Sequence, residues 1–167
     1  MRDLARRAGV SHAAPAHHFG DKAGLLTALA TQGFDLLADA LVAEQQRTGD
    51  FLEVGVAYVR FAVDHRAHFE VMFRPELYNV NDAGVEAARQ HATEALYGGV
   101  ESVPDEQRGD RDVHKDGVAA WSLVHGFATL WLNNALPPWL GEDPEAAARD
   151  IARLLFSSPS SEPTTGS

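Results

Sequence analysis

The chain has 167 residues, 45% of them hydrophobic and 23% charged, and a net charge of −10. That length fits one domain, or a large domain carrying a small one, and can bury a real core. A cysteine count of zero excludes disulfides, cysteine-ligated zinc, iron–sulfur clusters and a cysteine nucleophile. Uninterrupted apolar runs fall far short of the ~20 residues of a spanning helix, and no basic-then-apolar leader opens the chain. A soluble cytoplasmic protein with no membrane partner is the expectation.

The first 22 residues hold Arg2, Arg6, Arg7 and Lys22 against Asp3 and Asp21, a net of +2, together with His12, His17 and His18. The rest of the chain carries −12. A short basic head on an acidic body confines any meeting with an anion to the head. Leu4, Ala5 and Ala8 form a short amphipathic face, and Gly9 permits a turn with positive φ. Val10 is placed to plug the angle between two helices. Ser11 caps a second helix reaching His18, with Pro15 in its first turns, where a lost N–H costs least. Two short helices joined by such a turn make a helix-turn-helix, whose second helix enters the major groove of DNA.

Helical periodicity governs the remainder of the chain, and the fold class is all-α. Over 22–47 the stripe is Leu25, Leu29, Leu36, Leu37, Leu41 and Val42. Over 51–72 it is Phe51, Val54, Tyr58, Phe61, His65, Phe69 and Met72. Over 83–103 it is Val85, Ala88, Ala92, Leu96, Val100 and Val103. Over 113–136 it is Val113, Gly117, Trp121, Val124, Ala128, Trp131 and Ala135, and over 145–156 it is Ala147, Ile151, Leu154 and Leu155. Steps of three and four put each set on one helical face. Asp21, Asp50, Asp82 and Asp143 stand at cap positions, and Asp50 with Glu53 has capping-box spacing. Gly49, Pro75, Pro104 and Pro137–Pro138 punctuate the helices. The polar segment 104–112 reads as a loop and 157–167 as a disordered tail.

The run A-R-R-A-G-V-S-H-A-A-P-x-H-H-F-G-D-K, residues 5–22, resembles the DNA-binding signature of the tetracycline-repressor (TetR) family of transcriptional regulators, and the match extends from Leu4 to Leu26. The resemblance implies a recognition helix from Ser11 to His18, with Ser11, His12, Ala13, Ala14 and His17 facing double-stranded operator DNA. Lys22 would meet a phosphate. The family's usual first helix precedes this motif, whereas Met1 stands inside or at the start of the motif's own first helix, so a marginal head is expected. Ala16 replaces a tyrosine that often touches a phosphate in the family.

Two stretches of the body add to the resemblance. Arg66 to Leu77 is similar to a helix-break-helix bordering the ligand pocket in one subclass. Trp121, His125 and Gly126 make a W-x-x-x-H-G pattern like that of the WHG type of C-terminal domain. The implied organisation is a helix-turn-helix head at 1–34, a ligand-binding and dimerisation domain at 35–156, and a tail at 157–167. A small hydrophobic effector would sit among Phe61, His65, Phe69, Phe73, Trp121 and His125. The last two helices would pair with their copies in a homodimer through Gly126, Leu130, Ile151 and Leu155.

Plainer readings stand beside these. A tryptophan on an apolar face is core or interface before it is a ligand contact. His125 reads first as a hydrogen-bonded core residue. His65 and His68 have metal-ligand spacing without a third ligand, so no metal or cofactor is expected. No catalytic motif is present, which leaves a helical-bundle enzyme using His125 as the remote alternative. The nearer alternative is a ligand-binding and dimerisation module whose shortened head has lost or impaired DNA binding.

Overall fold

Asp21 starts the first of the described helices as the sequence predicts: its carboxylate accepts from the Gly24 N–H at 2.8 Å. The structure, a computed structural model, describes residues 19–101 and 112–156, apart from the side chains of 99–101, 155 and 156. The recognition helix Ser11–His18, most of the 104–112 loop and the 157–167 tail therefore lie outside the described residues. Among the described residues there are six α-helices, two short 3₁₀ turns and no strand: α1 Lys22–Thr48, α2 Phe51–Asp64, α3 Arg66–Met72, α4 Ala83–Glu101, α5 Val113–Leu132 and α6 Pro144–Phe156. The turns are Pro75–Leu77 and Pro138–Leu140. The all-α expectation is met.

α1 is the central element and packs on α2, α3 and α4. It runs unbroken across the 34/35 boundary expected from the sequence. By length and composition it could cross a bilayer. Its buried face instead supplies Ala30, Phe34, Leu37, Ala38 and Leu41 to the core, the ordinary use of an apolar helix in a helical bundle. The predicted stripe is displaced: Leu25, Leu29 and Leu36 are only half-buried, because small Ala30, Gly33 and Ala38 let neighbouring helices approach closest. Gly33 shows why. A Cβ there would stand 2.6 Å from the Met72 sulfur of α3 and 3.1 Å from the His68 Cβ. Close approach of two helices outweighs the ~1 kcal/mol that glycine costs inside a helix.

The single helix expected over 51–72 is two. His65 leaves helical geometry (φ −114°, ψ 40°), and α3 starts afresh beyond it. The stripe nonetheless continues, because Phe69 and Met72 are buried. The loop after α3 is tied down twice. The Tyr78 hydroxyl donates to the Met72 carbonyl at 2.9 Å, and the Asn79 N–H donates to Thr27 Oγ1 at 3.1 Å. α5 stops at Leu132, short of the expected 136. Asn134 adopts φ 52°, while its N–H bonds Trp131 O and the Ala135 N–H bonds Leu130 O. This glycine-less Schellman cap ends the helix before Pro137–Pro138 can. Asp112, unassigned by pattern, caps the start of α5 through His114 N and Lys115 N.

The capping box at α2 is half-formed. Asp50 accepts from Leu52 N at 2.9 Å, but the Asp50 N–H goes to Thr48 Oγ1. Glu53 turns to α6, where Arg149 grips it with two hydrogen bonds of 2.7 and 2.8 Å. That grip, led by the hydrogen bond, holds the Glu53 carboxyl below its usual range. Its folded pKa is lower than its unfolded one, so its stabilising contribution exists above the unfolded value and vanishes as pH falls through the folded one. Glu53→Gln is expected to cost about 1 kcal/mol at neutral pH, as both side chains keep some contact with water. The cost should disappear in acid; urea unfolding of both proteins in the two conditions measures it.

Candidate functional site

A cavity of about 330 Å³ lies between α1, α2, α4 and α5, closed at one side by α3 and its turn. α1 contributes Phe34, Leu37 and Leu41, and α3 with its turn contributes Met72, Phe73 and Tyr78. α4 presents Arg89, Thr93, Leu96 and Tyr97 at helical steps, and α5 presents Trp121. The volume lies at the low end of small-molecule sites, roughly 300–1,000 Å³. Gly117 on α5 shapes one wall. A Cβ there would stand 2.4 Å from Tyr97 Cε1, so the ring rests directly on the helix backbone.

Three polar side chains are strung together at the aromatic end. Trp121 Nε1 donates to the Tyr58 hydroxyl at 3.2 Å, and that hydroxyl lies 2.9 Å from His125 Nδ1. An indole can only donate, so the Tyr58 oxygen accepts from Trp121 and is free to donate its own proton onward. His125 Nδ1 accepts that proton in the Nε2–H tautomer, and donates to the phenol oxygen in the Nδ1–H tautomer. Burial favours the neutral form of both groups: it lowers the His125 pKa and raises that of Tyr58 well above the ordinary phenol value. Phe73 meets the His125 ring edge-on at 4.5 Å and Phe69 lies 5.2 Å from it, which covers part of the half-buried imidazole, while Trp121 at the other end is 38% exposed.

The sequence-predicted pocket residues divide. Phe73 and Trp121 line the cavity. Phe69 and His125 stand one layer behind, in contact with Phe73. Phe61 and His65 are elsewhere: with Glu44, Arg47 and Arg60 they border a separate recess between α1 and α2. The expected spacing of 61, 65, 69 and 73 would share a face on one straight helix, and the break at His65 separates the pairs. His65 and His68 rings are 5.7 Å apart, but His68 Nε2 bonds Gln32 Oε1 at 3.1 Å. No third metal-ligating group joins them among the described residues. Pattern reading does not single out Tyr58, Phe34, Tyr78, Arg89 or Tyr97 for the site. Tyr58 carries a signal, since a buried phenol on an apolar stripe needs a polar partner; Arg89 carries none.

On the head side, Lys22 is exposed at the first position of α1. The helix N-terminus beside it is already taken by Asp21, which leaves the ammonium as the anion-seeking group. Of the dimer candidates, Gly126 has open space where a Cβ would be, and Leu130 is 46% exposed. Ile151 leans partly on the core, and the side chain of Leu155 lies outside the described set.

The family described as "Tetracyclin repressor-like, C-terminal domain" matches residues 51–155. The chain belongs to the TetR family. The family of "Bacterial regulatory proteins, tetR family" matches residues 1–29. Both regions of this TetR-family protein are thus those of a DNA-binding regulator, in a family of regulators rather than enzymes. Among solved structures it is similar to "a protein with unknown function from Rhodococcus sp. RHA1", with a TM-score of 0.75 and 29% identity over 93% of this chain and 81% of that one. No curated protein matches it.

Proposed function

We propose that this protein is a cytoplasmic, homodimeric transcriptional repressor that releases operator DNA when a small, largely apolar effector fills the body cavity. One observation carries the reading. The helix that presents Lys22 at the head continues as the wall of the cavity through Phe34, Leu37 and Leu41. From Lys22 to Phe34 is about 18 Å of continuous helix at 1.5 Å per residue. A molecule that presses on that wall tilts the rod and displaces the head. An effector with different affinity for the two tilts shifts their populations. The W-x-x-x-H-G residues fit a WHG-type body: Trp121 and His125 hold Tyr58, and Gly126 leaves an outer face free for a second copy.

A salt-dependent titration with DNA flanking the gene tests the DNA half. Lys22→Ala should weaken binding to all sequences alike and lower the slope of log affinity against log salt by about 1, one phosphate contact. Substitutions at His12 or Ala13 should instead change which sequence is preferred. Selective, salt-sensitive binding that responds in this way supports the repressor. Absence of selective binding leaves a ligand-binding and dimerisation module.

A further inference from the structure

We infer that the cavity takes an amphipathic carboxylate: an apolar body with one carboxylate head, held at Arg89. The inference deepens the effector half of the reading above and rests on it. Fourteen described residues line the cavity, and Arg89 alone among them carries a charge. That charge is positive, in a chain whose net charge is −10. The lining from α1 and α3 is apolar, from Phe34, Leu37, Leu41 and Met72. A largely apolar lining with a single cation matches a largely apolar ligand with a single anionic group. The guanidinium presents its donors in a fork that fits a carboxylate bidentately.

The cation is not idle. Arg89 pairs with Glu86 one turn earlier on α4, where both side chains are largely exposed. An exposed pair of that kind is weak and easily exchanged. The Arg89 and Tyr78 side chains line the same cavity, so the charge and a phenol hydroxyl both belong to its polar side. The Thr93 hydroxyl donates to the Arg89 carbonyl, which leaves the guanidinium as the strong donor to an anion on this face of α4. At roughly 30 Å³ per water-sized group, the volume holds on the order of ten non-hydrogen atoms.

Decanoate, 1-decanol and decyltrimethylammonium, titrated calorimetrically into the 167-residue protein below their micelle or solubility limits, separate the possibilities. Decanoate should bind at least about tenfold more tightly than decanol, with the ammonium weakest. Arg89→Gln should abolish that preference and leave decanol binding unchanged. Glu86→Gln, which frees the guanidinium, should tighten decanoate a few-fold. Equal affinity for decanoate and decanol, or a preference that survives Arg89→Gln, overturns the carboxylate assignment while the apolar effector site stands. If none of the three binds, the assignment and the effector half of the proposed function fall together, and the DNA half is judged by its own titration.

Discussion

Replacing Tyr58 by phenylalanine is expected to cost about 1–3 kcal/mol of folding stability, and replacing it by alanine about 3–5 kcal/mol. The side chain is 1% exposed and packs edge-on against Phe69 with ring centroids 6.1 Å apart. Phenylalanine keeps that packing but removes one oxygen that serves two partners. Trp121 Nε1 would lose its acceptor and His125 Nδ1 its partner. Alanine adds a cavity beside the one already present, and the surrounding helices can collapse on it only in part. Urea unfolding followed by tryptophan fluorescence measures both variants. A double-mutant cycle with His125→Ala isolates the shared bond, because two residues in one network do not add. Additivity there would mean that the phenol and imidazole are not energetically coupled.

If the proposed homodimer packs through α5, Gly126→Trp is expected to leave a well-folded monomer. Among the described residues a Cβ at Gly126 meets nothing within 4 Å, so a large side chain projects outward without disturbing the core. Val118 and Leu130 stand on α5 at 49% and 46% exposure, and Leu154 of α6 at 74%. Among the described residues these apolar side chains lie outside the buried core, and a second copy laid on α5 through the glycine would cover them. Sedimentation should show the mass halved while thermal stability of the monomer fold is kept, since replacing a helical glycine is mildly favourable. Affinity for a two-half-site operator should fall by roughly 10²–10⁴, the advantage of two linked heads over one. A Gly126→Trp protein that remains dimeric would place the interface on another face.

Much of the helical layout is legible in the sequence, for a local reason. Asp21, Asp50, Asp82 and Asp143 each accept from backbone N–H groups at a helix start, and Gly49 closes α1 with φ 63°. Caps act within one turn, so a one-dimensional reading finds them. Long-range competition defeats the same reading elsewhere. Glu53 satisfies the local capping pattern, yet a cation 96 positions later in the chain outcompetes the backbone for it. The break at His65 and the Asn134 cap have no strong local marker, and each redraws a helix boundary.

The sequence by itself determined the all-α class, the family and the strand-free spacing of apolar faces, because helix periodicity and the 5–22 signature are written in consecutive residues. Tertiary structure decided which of those faces meet. It set Phe73 and Trp121 in one cavity with Arg89, and sent Phe61 and His65 to another recess. It also made Tyr58 the bridge between Trp121 and His125, which are 63 and 67 positions away in the chain. The physical reason is that a pocket is the space left between packed helices. Its lining depends on helix crossings and close approaches, such as Gly33 on Met72 and Gly117 on Tyr97, which no single helix encodes.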